Sequence, residues 1–378
     1  MSLDKTKVCH ELKVIDRIQE TEDTISLVLE IPRTTGGKFM YKAGQFVTVF
    51  LDIQGEEVRR SYSLASSPEF ETDFKITIKL VPGGKGSTYL INNVKVGDKL
   101  WVTPPAGHFC LPQTIHNQTL AFFAGGSGIT PIISLIKSAL KLHPNTRCVL
   151  LYQNRSEANI IFKKELTDLA TKYASRLNIE FIFSKPSPSW TGLSGRIDQD
   201  KILGFFERQK LNQEALQFIC GPEGFMNAVV SSLISKQVDK SRIFKESFTV
   251  AASPASPATP ASLSEDNDLT LDSEAIVIGD KSKLSAPETI EASIEGQLHT
   301  VAYKKDKTIL ECLLDAELNP PYSCLDGACM ACIAKVQDGV VYQNDMGILT
   351  DDNIEAGECL TCQARPASKN VKVTYEIF

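Results

Sequence analysis

The stretch Cys324-Leu325-Asp326-Gly327-Ala328-Cys329-Met330-Ala331-Cys332 sets three cysteines in the pattern C-x4-C-x2-C. Thiolates at that spacing, joined by a fourth from a distant part of the chain, hold a [2Fe–2S] cluster. Two candidates for the fourth, Cys359 and Cys362, follow downstream. A cluster of two irons and two sulfides is anionic, and more so when reduced, so backbone N–H groups must approach it. Asp326, Gly327, Ala328 and Ala331 make a loop small enough for that approach, and Gly327 reaches a positive φ without steric cost. A zinc site is the alternative for clustered thiols, but zinc loops pair two short C-x2-C spacings, which the four-residue gap does not match.

Around this stretch the sequence reads as one small globular unit over 287–378. ETIEASI and LHTVAY form a hairpin turning at Glu295-Gly296, a short helix covers 310–316, and VKVTYEI closes the chain as a strand. Upstream, 249–286 changes character. SPASPATPAS (253–262) and the acidic run 265–274 hold too few large apolar residues for a core, so a flexible linker is expected, on which the cysteine-bearing unit swings. Within it AIVIG (275–279) reads as a short strand or a docking segment.

Further upstream two more patterns alternate. Over 1–113 short alternating strands such as VTVFLDI (47–53) and FKITIKLV (74–81) are separated by turn residues, Gly83-Gly84-Lys85-Gly86 among them, as in a small antiparallel barrel. Over 114–248 strands and helices take turns: LAFFA (120–124), a helix over 131–140, CVLLYQN (148–154), a helix over 162–173, IEFIFS (179–184) and LQFIC (216–220). That rhythm predicts a doubly wound parallel sheet. The fold expected is therefore multidomain: an antiparallel β-barrel, an α/β parallel-sheet domain, and a small α+β unit.

The bulk numbers bound the class. The chain has 378 residues, a formal net charge of −6, and 42% hydrophobic and 23% charged residues, ordinary for a soluble globular protein and unfavourable for nucleic-acid binding. Residues 1–16 lack the basic start and apolar core of an export signal. The uncharged stretch 109–136 contains Pro112, three glycines and Pro131, which suits a strand, a loop and a helix start rather than a membrane span. Of ten cysteines, five crowd between Cys324 and Cys362, which points to a metal or cluster site in a reducing, cytoplasmic setting rather than to disulfides. Cys9, Cys110, Cys148 and Cys312 read as packed thiols.

Two loops carry further chemistry. Arg60-Ser61-Tyr62-Ser63 ends an early strand: an Arg pairs with a pyrophosphate, a Tyr covers a ring face, and a hydroxyl bonds a ring edge. Gly86-Ser87-Thr88 offers N–H groups to phosphate oxygens, and room for a second phosphate favours FAD over FMN. Gly125-Gly126-Ser127-Gly128-Ile129-Thr130-Pro131 joins a strand to a helix, so that glycines admit a pyrophosphate to the helix N-terminus, with Pro131 at the first helical position. Cys220-Gly221-Pro222 ends a later strand, where Cys220 would face a nicotinamide. Arg155, after the strand 148–154, is placed to meet a 2′-phosphate, favouring NADPH over NADH.

These signals in this order resemble the ferredoxin–NADP reductase superfamily, in particular the subgroup with a C-terminal plant-type ferredoxin domain, which includes the reductase subunit of phenylacetyl-CoA epoxidase and related oxygenase reductases. The resemblance implies a β-grasp fold for the last unit and selects Cys362, within Thr361-Cys362-Gln363-Ala364, as fourth ligand to Cys324, Cys329 and Cys332. It implies that Arg60, Tyr62 and Ser63 hold the flavin with Gly86 and Ser87 on its phosphates. Gly125 to Pro131 and Cys220 to Pro222 would hold NAD(P)H. In Lys245-Glu246-Ser247-Phe248, Glu246 would assist near the flavin and Phe248 lie beside its ring. Ser63, Cys220 and Glu246 are then the expected catalytic set. The activity implied is an NAD(P)H-dependent oxidoreductase that passes electrons through FAD and a [2Fe–2S] cluster to a partner, a diiron oxygenase. A non-oxygenase acceptor such as a hybrid-cluster protein, and a redox sensor whose cluster reports rather than conducts, are the alternatives.

Overall fold

The computed structural model describes residues 9–112, 115, 118–248, 261–263, 269–271, 275–322, 324–325, 327, 330–344, 349 and 351–376. Cys329, Asp326 and Ala328 of the cysteine loop, and most of 249–274, lie outside these residues. The chain divides into two compact units, Met1–Phe248 and Thr249–Phe378.

The first unit opens with six antiparallel strands, β1 (His10–Thr21), β2 (Thr24–Glu30), β3 (Phe46–Ile53), β4 (Glu56–Ser63), β5 (Lys75–Lys79) and β6 (Lys99–Val102). They lie in the order β4-β3-β6-β1-β2-β5. A bridge between Leu64 and Ile76 joins the two ends of that order, so the sheet closes into a barrel and leaves no free edge there. Alternate residues point inward: Val47, Val49 and Leu51 of β3 pack against Ile76 and Ile78 of β5 and Leu12 and Val14 of β1. The expected turn at Gly83 to Gly86 is instead the entry to helix α1 (Lys85–Asn93), which buries Leu90 against the barrel. Burying that side chain outweighs the poor helix propensity of its glycine and β-branched residues.

The remainder of the unit is a six-stranded parallel sheet: β7 (Thr119–Gly125), β8 (Arg147–Asn154), β9 (Leu177–Phe183), β10 (Leu193–Ser194), β11 (Leu216–Cys220) and β12 (Ile243–Glu246), in the order β10-β9-β8-β7-β11-β12. Helices α2 (Ile129–Leu142) and α3 (Lys163–Lys172) cover one face, and α4 (Gln199–Arg208) and α5 (Glu223–Ser235) the other. The pleat divides β7 between them, with Leu120, Phe122 and Ala124 in one core and Ala121 and Phe123 in the other. Among the described residues no helix is long and apolar enough to cross a membrane.

Barrel and parallel sheet are tied through one fully buried cation. Lys137 of α2 has no exposed side-chain surface. Its Nζ bonds Glu71 Oε1 at 2.6 Å and the Ala65 carbonyl at 3.2 Å, both from the barrel, and Glu165 of α3. Lys75 of β5 meets the same Glu165 at 3.2 Å. Burial works against the carboxylate of Glu165, but Lys137 and Lys75 together hold it below its ordinary range.

The second unit holds β13 (Ala261–Leu263), β14 (Leu269–Leu271), β15 (Ala275–Gly279), β16 (Thr289–Ile294), β17 (Gln297–Ala302), β18 (Ile333–Asp338), β19 (Val340–Asn344), β20 (Glu358–Leu360), β21 (Arg365–Pro366) and β22 (Asn370–Thr374). The main sheet runs β17-β16-β22-β18-β20. The β16–β17 hairpin turns on Glu295 and Gly296, both at positive φ, as a two-residue turn requires. Helix α6 (Ile309–Asp315), closed by a Thr308/Glu311 capping box, packs Ile309, Cys312 and Leu313 onto that sheet. A short helix α7 (Asp351–Glu355) precedes β20. The segment expected to be linker contains packed structure: β13 pairs β14, and β15 pairs β19 in antiparallel register and buries Ile278 in the unit's core. Its apolar AIVIG run has a sheet edge to fill, which a polar tether would not.

Replacing Lys137 with alanine leaves Glu71 without its cation and Glu165 with Lys75 alone. The expected loss is about 3–5 kcal/mol of stability, larger than for Lys164→Ala in the exposed Lys164–Asp168 pair. Denaturant unfolding of the two variants checks this.

Candidate functional site

At the C-terminal edge of the parallel sheet, β7 and β11 are neighbours from which successive strands depart in opposite directions. Such a switch point leaves a crevice for ligands. The glycines on its rim do two jobs. A Cβ on Gly128 would sit 2.1 Å from the Cys220 carbonyl oxygen, and one on Gly221 3.0 Å from the Gly125 Cα. Gly125, Gly128 and Gly221 thus let the loop after β7 pack directly on the loop after β11. Gly126 differs: its φ is +55° and nothing lies within 4 Å of where its Cβ would be, so it alone faces open space. The Tyr152 hydroxyl donates to its carbonyl at 2.9 Å. Helix α2 begins at Ile129, not Pro131, because a turn of 3-10 helix over Gly126–Gly128 runs straight into it. Pro131 is its third residue, still among the N–H positions that lack a helical acceptor. Thr130 Oγ1 donates to the Ser127 carbonyl at 3.0 Å, and Pro222 caps α5.

On the barrel side, the pleat of β4 sends Arg60 and Tyr62 to one face and Ser61 and Ser63 to the other. Ser61 shares a 2.8 Å hydrogen bond with Thr48. The Arg60 stem passes over Gly86, where a Cβ would come within 2.8 Å of Arg60 Cγ. Gly86, Ser87 and Thr88 lie in the first turn of α1, whose N-terminus has no side-chain cap. The Thr88 N–H turns back to the Gly84 carbonyl at 3.2 Å; the helix-start N–H groups before it, beside a guanidinium stem, fit phosphate oxygens. The Ser87 hydroxyl accepts from the Val81 N–H at 3.1 Å, so this side chain braces the loop. Burial pushes the Tyr62 hydroxyl well up.

The two sides meet at three residues. Ser63, buried, donates to Glu246 Oε2 at 3.2 Å. Glu246 is opposite Cys220 in the β11–β12 register, and Cys220 is opposite Ala124 in β7. Burial pushes the Glu246 carboxyl up to about 8, against the opposing pull of the Ser63 hydrogen bond. Burial first, then Glu246, pushes the Cys220 thiol far up. Cys110 is pushed up to about 11 by burial, with Lys42 opposing and Glu246 adding. At neutral pH the site therefore presents a carboxylic acid, a hydroxyl and thiols. It offers no thiolate nucleophile, and it suits a reaction that needs positioning rather than a strong base. Phe248, 40% exposed, follows β12. Arg155 is exposed just past β8, where its carbonyl accepts from the Lys185 N–H at 2.7 Å.

In the second unit Cys332 and Cys362 pack together, and Cys324 lies near enough to act on Cys362 through its charge. Its hydrogen bond to Cys332, burial, and the charges of Cys332 and Cys324 push the Cys362 thiol well up, with the Gln363 amide opposing. Cys359 turns the other way, packing with Ile290, Cys312 and Ala334, whereas Leu360 packs with Cys332 and Cys362. Leu325, Gly327 and Met330 take positive φ and curl the loop. Thr361 bonds the Cys332 carbonyl through both its N–H (3.1 Å) and its Oγ1 (2.8 Å). Thiolates this crowded repel one another and become compatible only around a cation, which is the donor chemistry an iron–sulfur cluster requires.

Sequence reading missed two residues here. Tyr152 was legible as a tyrosine inside a buried strand, whose hydroxyl must find a partner. Lys185 comes to Arg155 only through the β8–β9 pairing, which no local pattern announces.

Comparison with known proteins agrees with this layout. Residues 11–110 match the model of the oxidoreductase FAD-binding domain, 122–231 that of the oxidoreductase NAD-binding domain, and 292–367 that of the 2Fe-2S iron-sulfur cluster binding domain. The ferredoxin reductase component of 3-ketosteroid-9-alpha-monooxygenase from Rhodococcus rhodochrous is 34% identical over 95% of this chain and 94% of its own. A subunit of the 1,2-phenylacetyl-CoA epoxidase from Escherichia coli is 29% identical over 97% of this chain and 98% of its own. Among solved structures, the CS-b5R domains of human Ncb5or in the NAD+ form match with a TM-score of 0.55 and 28% identity, over 64% of this chain and 69% of that one.

The raised carboxyl gives a testable sign. Because Glu246 is protonated in the fold up to about 8 but ionises near 4.5 when unfolded, its contribution is full below 4.5 and is lost as pH rises to 8. Relative to Glu246→Gln, thermal stability of the native protein should therefore fall progressively between those pH values and then level off. Parallel melting curves of the two proteins across pH 4–9 check it.

Proposed function

The chain belongs to the reductase components that unite FAD-, NAD- and [2Fe–2S]-binding domains, and from that premise we propose that it takes reducing equivalents from NAD(P)H and hands them to an oxygenase of the diiron, phenylacetyl-CoA epoxidase kind. The observation that carries the reading is the Ser63–Glu246 hydrogen bond beside Cys220, which joins the flavin side of the first unit to its nicotinamide side. When bound, FAD accepts a hydride and releases electrons singly, which suits a one-electron cluster. Ser63 and Glu246 position and supply hydrogen bonds at the ring edge. Cys220 closes the strand where the nicotinamide rests, and Phe248 shields the ring. Arg60 and the first turn of α1 hold phosphates, with Ser61 bracing the strand against Thr48. Gly126 leaves the backbone open to the dinucleotide. Cys324, Cys329, Cys332 and Cys362 hold the cluster.

We assign flavin binding to 1–113, nicotinamide binding to 114–248 and the cluster to 287–378, joined through 249–286. The related ketosteroid and phenylacetyl-CoA proteins are components of oxygen-inserting enzymes by name. That supports an oxygenase acceptor over a hybrid-cluster protein or a sensing role. The thiol set suits the reducing conditions of the cytoplasm.

NADPH is the coenzyme proposed. Arg155 and Lys185 are adjacent and exposed, and the nearby carboxylate of Glu157 is engaged by the Ser187 N–H at 3.1 Å and by its hydroxyl. Two cations there suit a 2′-phosphate, where an acidic residue alone would suit a 2′-hydroxyl.

Anaerobic stopped flow with NADPH and with NADH tests the path. Flavin absorbance should bleach first and cluster absorbance next; bleaching of flavin alone would overturn the cluster as outlet. In the same assay the double change Arg155→Ala, Lys185→Ala should weaken NADPH binding about tenfold or more, the order expected for losing charge-assisted hydrogen bonds, and leave NADH nearly unchanged. Turnover with a diiron oxygenase and with a hybrid-cluster protein then discriminates the acceptor.

A further inference from the structure

Gln363 comes directly after the fourth cluster cysteine. Its backbone N–H is tied to the Leu360 carbonyl at 2.8 Å, in the turn that leaves β20. Its side-chain Nε2 lies 3.1 Å from the Leu325 carbonyl oxygen and 3.5 Å from Cys362 Sγ. The Leu325 oxygen can only accept, so the amide must present its NH2 there, and that group carries two protons. One amide thus reaches both the residue after the first ligand, Cys324, and the sulfur of the last, Cys362. Leu325 itself is held at a φ of +64°.

We propose that Gln363 is a positioning residue that sets the reduction potential of the cluster, by donating to Cys362 Sγ while pinning the cysteine loop through Leu325. Reduction adds negative charge to the cluster and its sulfurs. An N–H donor on a ligating sulfur favours that more negative state and raises the potential. The same donor pinned at its other proton to a backbone carbonyl cannot swing away, so the effect is built in. The proposal rests on the cluster reading above.

Two variants of the full chain test it. Gln363→Met keeps length and volume but loses the donor. Gln363→Glu keeps the shape but replaces the amide donor with a carboxyl oxygen. Spectroelectrochemical titration should show the Gln363→Met midpoint lowered, by up to about tenfold in the reduced-to-oxidised ratio at fixed potential, about 59 mV for one electron. The Gln363→Glu midpoint should be lowered as well, and flavin reduction by NADPH should be unchanged in both. A merely structural role would lower cluster content or melting temperature without moving the midpoint of the clusters that remain. Wild-type midpoints in both variants would overturn the proposal. Should either variant fail to take up its cluster, pulsed EPR on reduced wild-type protein carrying side-chain 15N-glutamine decides: a 15N coupling is expected, and its absence overturns the assignment. A wild-type protein with no [2Fe–2S] EPR signal at all would instead sink the cluster reading.

Discussion

A single ammonium group without solvent holds the redox half of this protein in register. A buried charge is tolerated only when paired and hydrogen-bonded, and Lys137 finds its partners on both sides of the boundary between barrel and parallel sheet. Its helix begins at the glycine loop, and the Ala65 carbonyl it holds lies two residues past Ser63. Ser134, one turn earlier, adds a 2.5 Å bond to the Ser66 carbonyl. The helix start at the glycine loop and the strand end at Ser63 are thereby fixed to each other by the same few bonds. The Ser63–Glu246 contact is a consequence of that clamp: two weak groups from distant parts of the chain meet because the elements carrying them cannot drift.

Much of this was legible before any coordinates. Period-two alternation marked the barrel strands, and compact apolar runs such as LAFFA and LQFIC marked the parallel ones, because each must present its side chains to one core or two. What stayed hidden depended on partners far away in sequence. Lys137 sits in an apolar helix where a lysine ordinarily snorkels to solvent, and nothing local says that Glu71 and Glu165 will enclose it. Gly83 and Gly84 punctuate the chain as a turn does, and only the pocket awaiting Leu90 makes a helix of Lys85–Asn93. The glycine loop was recognised, but not its division of labour: Gly125, Gly128 and Gly221 are glycine because two loops touch, whereas Gly126 faces open space.

The thiols show a similar boundary. Spacing alone leaves Cys359 and Cys362 as rival candidates. The strand Glu358–Leu360 separates them, because neighbouring residues on a strand face opposite ways: Cys359 enters the core beneath the sheet and Leu360 the one around Cys332. Beyond the strand the chain turns, and Cys362 comes round to the Leu360 side. Burial raises the thiol of Cys359 to about 12, as befits an inert packed side chain. The AIVIG run was likewise ambiguous until a partner strand, Val340–Asn344, was found for it.

The two ends of the proposed dinucleotide crevice are built under unequal constraint. Around Gly128 and Cys220 not even a methyl group can be added without moving backbone, so the reacting end tolerates almost no variation. Arg155 and Lys185 stand in solvent at the other end, where their side chains support no core. Under the proposed reading, donor preference can change by substitution at Arg155 and Lys185 without disturbing the packed backbone around Gly128 and Cys220.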